Sequence, residues 1–512
     1  MTDAVPDGAE VAFASARDLA RWVADGTVTS RAAVQAYLDR IERFNPTLGA
    51  VVTVDADAAL RRADECDRAV AAGLPLGPLH GVPMTVKDAF ETAGMRTTAG
   101  LEEYADHVPQ HNAAAVGRLV DAGAVIMGKT NCPAGVTGQE TANELFGRTN
   151  NPWDTDRTSG ASSGGAAAAL AAGLTALELG SDSGGSIRQP ASYCGVYGHF
   201  PTQGLVPSRG HIPQVDRSEV DVHIDLMSVG PMARHPADLA LAMGVLVGPD
   251  LYGSRAWRLQ LPPPPASIRD YRVGVWLDDG DYPVDAAVVD RLEATAAALV
   301  DAGVHVDRRA RPAFRLADAE RVAFALWVAS SSQRNSDEHD AEMRRRAAAF
   351  AADDQTHAAR RARAEILSHR EWLLLDAERR RLQRRWEDLF TSVDVLLCPV
   401  TPVVAFPHDP KPHLVADIDH RAARTIQVNG QPRPYLDQLV WTTVVGMARL
   451  PSTVAPVGHS GDGMPVGVQI VGRALADRTT IAFADQLQRL IGGFDIPPAY
   501  GRDHSQAAGS RE

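Results

Sequence analysis

Gly164-Gly165-Ala166-Ala167-Ala168-Ala169-Leu170-Ala171-Ala172-Gly173, then Leu174 to Leu179, then Gly180-Ser181-Asp182-Ser183-Gly184-Gly185-Ser186-Ile187-Arg188: the fold is read from this stretch. Its first segment predicts a helix with almost no polar side chain, and a helix apolar all round is buried. Two leading glycines let another backbone come close. Leu174 to Leu179 predicts a buried strand that runs into a glycine-rich turn. Strand–helix–strand grammar recurs downstream: a strand over Val273 to Trp276, an alanine-rich helix over 284–302, a strand over Val304 to Val306, and further strands over 393–398 and 466–471. Such alternation predicts an α/β protein with a mixed, largely buried sheet.

Upstream, Val34, Tyr37, Leu38, Ile41 and Phe44 mark one face of a helix over 30–45, with Ser30 as N-cap and Asn45-Pro46 as its stop. The apolar run 82–87 places Lys87 at a strand end, and a helix over 113–122 leads to a strand over 124–127. Pro262 to Pro265 form a stiff connector. Residues 316–390 read as helical. There Trp372, Leu375, Leu382, Trp386 and Leu389 form the buried face, and Arg379, Arg380, Arg381, Arg384 and Arg385 a solvated one.

The 512 residues carry a net charge of −13, which gives nucleic-acid binding no general electrostatic support. There is no run of 18 apolar residues and no secretory leader, so neither a membrane span nor export is expected. Cys66, Cys132, Cys194 and Cys398 are scattered without a CxxC pair. That argues against a disulfide frame or a zinc site and for a reduced, cytoplasmic setting. His107 and His111 flank Pro109, which spoils a helical metal pair, so no metal is assigned.

Three patterns compete for the chemistry. Gly123-Ala-Val-Ile-Met-Gly128-Lys129-Thr130 satisfies the phosphate-loop formula, but its bulky apolar middle belongs in a strand, and Asn131-Cys132-Pro133 blocks a following helix. Gly160-Ala161-Ser162-Ser163-Gly164 matches a nucleophile elbow, but loop rather than strand precedes it. The third pattern is Lys87, Ser162 and Ser186, spaced by 75 and 24 residues. A lysine beside an apolar strand loses its proton if buried. A serine beside a glycine pair offers a hydroxyl together with main-chain N–H donors. These are the parts of a Ser–Lys hydrolase.

Gly81-Val82-Pro83-Met84-Thr85-Val86-Lys87-Asp88, Gly128-Lys129-Thr130-Asn131, Phe146 to Asp154, Ser162-Ser163-Gly164-Gly165, Gly180 to Ala191 and Gly463 to Gln469 together resemble the amidase signature family. The resemblance covers roughly 10–250 and 390–495. It implies a single large α/β/α domain, 1–512, around a mixed, twisted sheet, with a signature core at about 75–250 and 390–495 and a variable helical region at about 251–390. It implies an amidase that cleaves carboxylic amides, with aryl amides or carbamates as candidates, through a seryl acyl-enzyme and without a cofactor. By residue match Ser186 is the nucleophile, Ser162 the bridging serine after a cis peptide bond, and Lys87 the base. The N–H groups of Ser183, Gly184, Gly185 and Ser186 form the oxyanion hole. Ala161 departs from the glycine usual before the bridging serine.

Asp182 and Arg188 are expected to brace the oxyanion loop as a buried ion pair, and Ser163 either bonds near the triad or caps the helix. Thr158, Gln189 and Cys194 read as structural. Val136, Thr137, Gly138 and Gln139 would line the acyl pocket, their neutrality favouring an uncharged small-molecule amide; Trp327 and Trp372 would touch the leaving group. Similar proteins include homodimers. Two alternatives stand beside this reading: the glutamine-hydrolysing A subunit of a tRNA amidotransferase, and a non-catalytic binding protein on an amidase scaffold.

Overall fold

In the computed structural model, which describes residues 6–213, 224–415 and 417–501, eleven strands form one mixed sheet. Across it the order is Val51–Val54, Val125–Thr130, Pro83–Lys87, Leu177–Asp182, Ser228–Ala233, Tyr197–Phe200, Ser452–His459, Pro465–Gly472, Val395–Pro399, Arg272–Val275 and His305–Asp307. Pro83–Lys87 pairs in parallel with both neighbours, as does Arg272–Val275. The remaining pairs are antiparallel. Central strands such as Pro83–Lys87 and Leu177–Asp182 are buried at every residue, because helices cover both faces. No helix of the described residues is long and apolar enough to cross a membrane.

The alanine-rich segment forms a helix, Gly164–Ala171, buried along its whole length. Its leading glycine pair is required by contact: a Cβ on Gly165 would lie 2.4 Å from the Asn131 N and 2.8 Å from the Ala50 O. Both neighbours are main chain and cannot swing aside. Gly165→Ala is therefore expected to destabilise the protein by about 1–3 kcal/mol, the range of overpacked cores. A urea midpoint unchanged from the parent would contradict this.

Three departures of element boundaries from the sequence reading bear on the site and its surroundings. The strand expected over 174–179 begins at Leu177, because Gly173 closes the helix with φ 69° and the Leu174 N–H still bonds back to the Ala169 carbonyl. The helix expected over 30–45 spans Ser30–Leu48 with Thr29 as its cap, while the Ser30 hydroxyl donates to the Gly81 carbonyl. Pro46 does not stop it; the exit is held by Gly49 in the left-handed conformation and by Asn45 Oδ1, which accepts from the Ala50 and Val51 N–H groups. The strand expected over 124–127 continues to Thr130, so the phosphate-loop formula lies in a strand with Lys129 buried, its Nζ bonded to Phe90 O and Thr92 Oγ1.

The region 316–390 folds as the helices Leu316–Ser331, Asp337–Ala349, His357–Glu365 and His369–Leu389. Trp386 and Leu389 are buried as expected. Arg379 is not on a solvated face. It is 1% exposed and ion-paired with Asp376 and, at 2.6 Å, with Asp225. A carboxylate far away in sequence pulled it inward.

Candidate active site

Strand Pro83–Lys87 delivers Lys87 to its end, fully buried. Four oxygens surround its Nζ: Ser162 Oγ at 2.6 Å, Ser181 Oγ at 3.0 Å, Ser163 Oγ at 3.1 Å and the Ser181 carbonyl at 3.4 Å. Ser162 and Ser163 come from the loop before the buried helix, and Ser181 from the adjacent strand. The Ala161–Ser162 peptide bond is cis. Burial pulls Lys87 down from 10.5 to about 8, against the opposing pull of the Asp182 carboxylate. Burial also pushes the Glu178 carboxyl up to about 8, so this anion is largely neutralised near pH 7. Cys132 nearby is held as a neutral thiol by its own burial.

Ser163 stands at the helix N-cap without a side-chain capping bond. Its hydroxyl donates to the Ser181 carbonyl at 3.3 Å and lies 3.1 Å from Lys87 Nζ, so of the two positions open to it the structure shows the one beside Lys87.

Ser186 sits on the turn that follows strand Leu177–Asp182, and both it and Ser162 line one cavity of about 140 Å³. The Ser163 N–H donates to the Ser186 carbonyl at 3.0 Å, tying the two serine segments together. Asp182 braces the turn from beneath. Its Oδ2 lies 2.8 Å from Arg188 Nε and accepts from the Ile187 N–H at 3.1 Å, and both ion-pair side chains are fully buried. Burial would raise the Asp182 carboxyl, but the Arg188 guanidinium and the N–H donors override it and hold it low. Arg188 reaches on to the Thr442 carbonyl at 2.7 Å and Gln469 Oε1 at 2.9 Å. That last bond explains why a motif near the C-terminus accompanies the central one.

One expected oxyanion donor is corrected. The Gly185 N–H points at Asp182 Oδ1, 2.6 Å away, and so belongs to the brace. Gly185 has φ 125°, and a Cβ there would meet Thr442 Oγ1 at 2.8 Å, so glycine is needed for the turn itself. Ser183, Gly184 and Ser186 face the cavity.

The expected acyl-pocket residues Val136, Thr137, Gly138 and Gln139 do line the cavity. Trp327 joins them, lying over Gly184. Trp372 does not; it packs on the core with Arg379 5.8 Å from its ring centroid. Those four residues are neutral as read, but the rest of the wall is not. Arg361, Glu365 and Arg421 lie on it, with Arg421 Nη1 3.2 Å from Gln139 Oε1. The first two come from the variable helices, where nothing marked them out from other helical charges. His211, 6% exposed, is a further lining residue that the sequence did not single out. His107 pairs with Glu91 at 3.0 Å, and no cluster of side chains suited to a metal occurs among the described residues.

The family model described as Amidase matches residues 32–481. Curated relatives include the A subunit of the glutamyl-tRNA(Gln) amidotransferase of Chloroflexus aurantiacus, 33% identical over 498 residues, covering 91% of this chain and 94% of that protein. The protein of the same name from a Synechococcus species is 34% identical, covering 92% and 95%. Among solved structures, one from a vestigial protein complex bearing on the origins of an s-triazine catabolic enzyme superposes with a TM-score of 0.76 at 29% identity, covering 94% of this chain and 100% of that one. A bacterial aryl acylamidase of the amidase signature family superposes at 0.75 and 26%, covering 96% and 99%.

Proposed function

This chain belongs to the amidase signature family of amide-hydrolysing enzymes, and from that premise we propose that it cleaves a small carboxylic amide through an acyl-enzyme on Ser186. The observation that supports this most is the 2.6 Å contact between a buried, easily deprotonated Lys87 and Ser162, in a cavity that Ser186 also lines. Ser186 Oγ attacks the amide carbonyl as its proton passes to Ser162 and the Ser162 proton passes to Lys87. The oxyanion is met by the N–H groups of Ser183, Gly184 and Ser186. Each such donor is worth about 3–4 kcal/mol. When the C–N bond breaks, the lysine's proton returns through Ser162 to the departing nitrogen. Water then attacks the acyl-enzyme with Lys87 again as base, releasing the acid and restoring Ser186.

Apolar walls from Ile224, Met227, Phe324, Trp327, Leu436 and Leu439 support a substrate with an aromatic or aliphatic part, aryl amides and carbamates included. A screen of p-nitroanilides, primary amides and aryl carbamates, with Ser186→Ala as control, tests the reading. Turnover that survives in Ser186→Ala would sink it.

The proton path also sets the pH dependence. Lys87 accepts a proton only when neutral, so acylation should fall about tenfold per pH unit below about 8 and level off above it. A rate flat from pH 6 to 9 would contradict the role of Lys87.

A second reading, glutamine hydrolysis as the A subunit of an amidotransferase, has support of its own. The relatives named for that activity align over nine-tenths of the chain. Arg421 and Glu365 put a cation and an anion on the cavity wall, the charges that an amino acid's α-carboxylate and α-ammonium would meet. Glutaminase activity together with copurifying partner subunits would favour it. Cleavage of simple amides by the isolated chain, without glutaminase activity, would favour the first.

A further inference from the structure

Three hydroxyls surround the Lys87 amine, yet the proposed chemistry needs its lone pair aimed at one of them. A neutral amine has two hydrogens and one lone pair, and each serine has one proton to give. The proton of Ser163 is committed elsewhere, to the Ser181 carbonyl at 3.3 Å. Ser181 Oγ, 3.0 Å from Nζ, also lies 2.8 Å from His211 Nε2. We infer that His211 is a positioning residue for the base: its Nε2 accepts the Ser181 proton, so the lone pair of Lys87 is left for Ser162 alone. This rests on the amidase reading above.

The geometry holds the imidazole in place, and with Nε2 accepting, its ring proton lies on Nδ1. His211 pairs with Phe90 in an antiparallel bridge beside the strand that ends at Lys87, and the rings meet edge to face at 5.1 Å. The Glu91 N–H donates to the Gly210 carbonyl and the Ile212 N–H to the Ala89 carbonyl, so the backbone is pinned on both sides of His211. With Nε2 as acceptor, the chain runs amine N–H to Ser181 Oγ, then Ser181 O–H to imidazole. With the acceptor gone, the best remaining partner for the Ser181 proton is the lysine lone pair itself. Ser162 then loses its base to a competing hydroxyl. His211 thus acts through Ser181 and touches no reacting atom.

The logic yields a rescue that packing alone does not produce. A fluorophosphonate that labels Ser186 reads nucleophilicity without any knowledge of the natural amide. Relative to the parent, His211→Phe should slow the first-order labelling step roughly tenfold, the effect of one misdirected hydrogen bond, with the half-saturating probe concentration unchanged. Adding Ser181→Ala removes the competing hydroxyl, and His211→Phe/Ser181→Ala should recover to within about threefold of Ser181→Ala alone. A double variant as slow as His211→Phe, or a His211→Phe protein that labels at the parental rate, overturns the inference. Should His211→Phe lose its circular dichroism spectrum, His211→Asn, too short to reach Ser181, replaces it in both variants with the same expectations. A parent whose Ser186 takes no label overturns the amidase reading and this inference with it; a labelled Ser186 without rescue overturns this inference only.

Discussion

Lys87→Met is expected to abolish amide hydrolysis, lowering kcat on the order of 10⁵- to 10⁶-fold, while the protein stays folded. The size follows from how triads fail. Members act as a unit, and removing the base costs nearly as much as removing the nucleophile. Methionine matches the lysine stem in volume and adds no cavity, so packing is preserved. The native site already spends stability on Lys87, an amine held fully buried against its preference for water. Replacing it with an apolar side chain should leave the urea midpoint level or raise it. Combining Lys87→Met with Ser186→Ala should add almost nothing to either single loss. If instead Lys87→Met keeps more than about a hundredth of parental kcat, Lys87 is not the base. If the two losses multiply, the residues are not on one proton path.

The parts of this site that were legible in the sequence are those set by local chain geometry. An apolar run of six residues ending in Lys87 reads as a buried strand with a lysine at its tip, and it is one. A stretch with no polar side chain from Gly164 to Ala171 must be covered on all sides. Asp182 and Arg188 lie six residues apart on one turn, so their pairing was readable too. What escaped depends on the exact path of a turn or on contacts between distant segments. Gly185 was expected to donate to an oxyanion, but only the folded turn shows Asp182 directly beneath its N–H. His211 meets Ser181 across 30 residues, and Arg421 meets Gln139 across 282. The same holds for Arg379, which looks like any helical arginine until Asp225, 154 residues away, arrives beside it. Long-range electrostatic pairing leaves no periodic trace, because one charge on a helix face is as compatible with water as with a partner.

The turn that carries Ser186 offers the second large effect. Asp182→Asn changes one oxygen to an amide nitrogen, and with it breaks two or three of five hydrogen bonds at once. In the native turn Asp182 accepts from the Gly185, Ile187 and Arg188 N–H groups and from Arg188 Nε and Nη2. Whichever way the carboxamide turns, its NH₂ faces donors and has nothing to donate to. Arg188 meanwhile keeps its charge in a fully buried site with no anion to balance it, only the remaining carboxamide oxygen, the Thr442 and Gln469 oxygens and the face of Phe200. Removing one partner of a buried pair typically costs about 3–5 kcal/mol. The carboxylate state gives the sign with pH. Asp182 is held below its ordinary value when folded, so its stabilisation is present above the unfolded value and fades as pH falls through the folded one. The parent should therefore lose part of its margin over Asp182→Asn in acid. Loosening the turn also misplaces the Ser183, Gly184 and Ser186 N–H groups, so kcat should fall on the order of 10²- to 10³-fold, the loss seen when an oxyanion donor is removed. Adding Arg188→Met to Asp182→Asn removes the stranded cation, so the double variant should be more stable than the sum of the two singles. Additive losses, or an Asp182→Asn protein with parental stability, would show that the pair does not hold the turn.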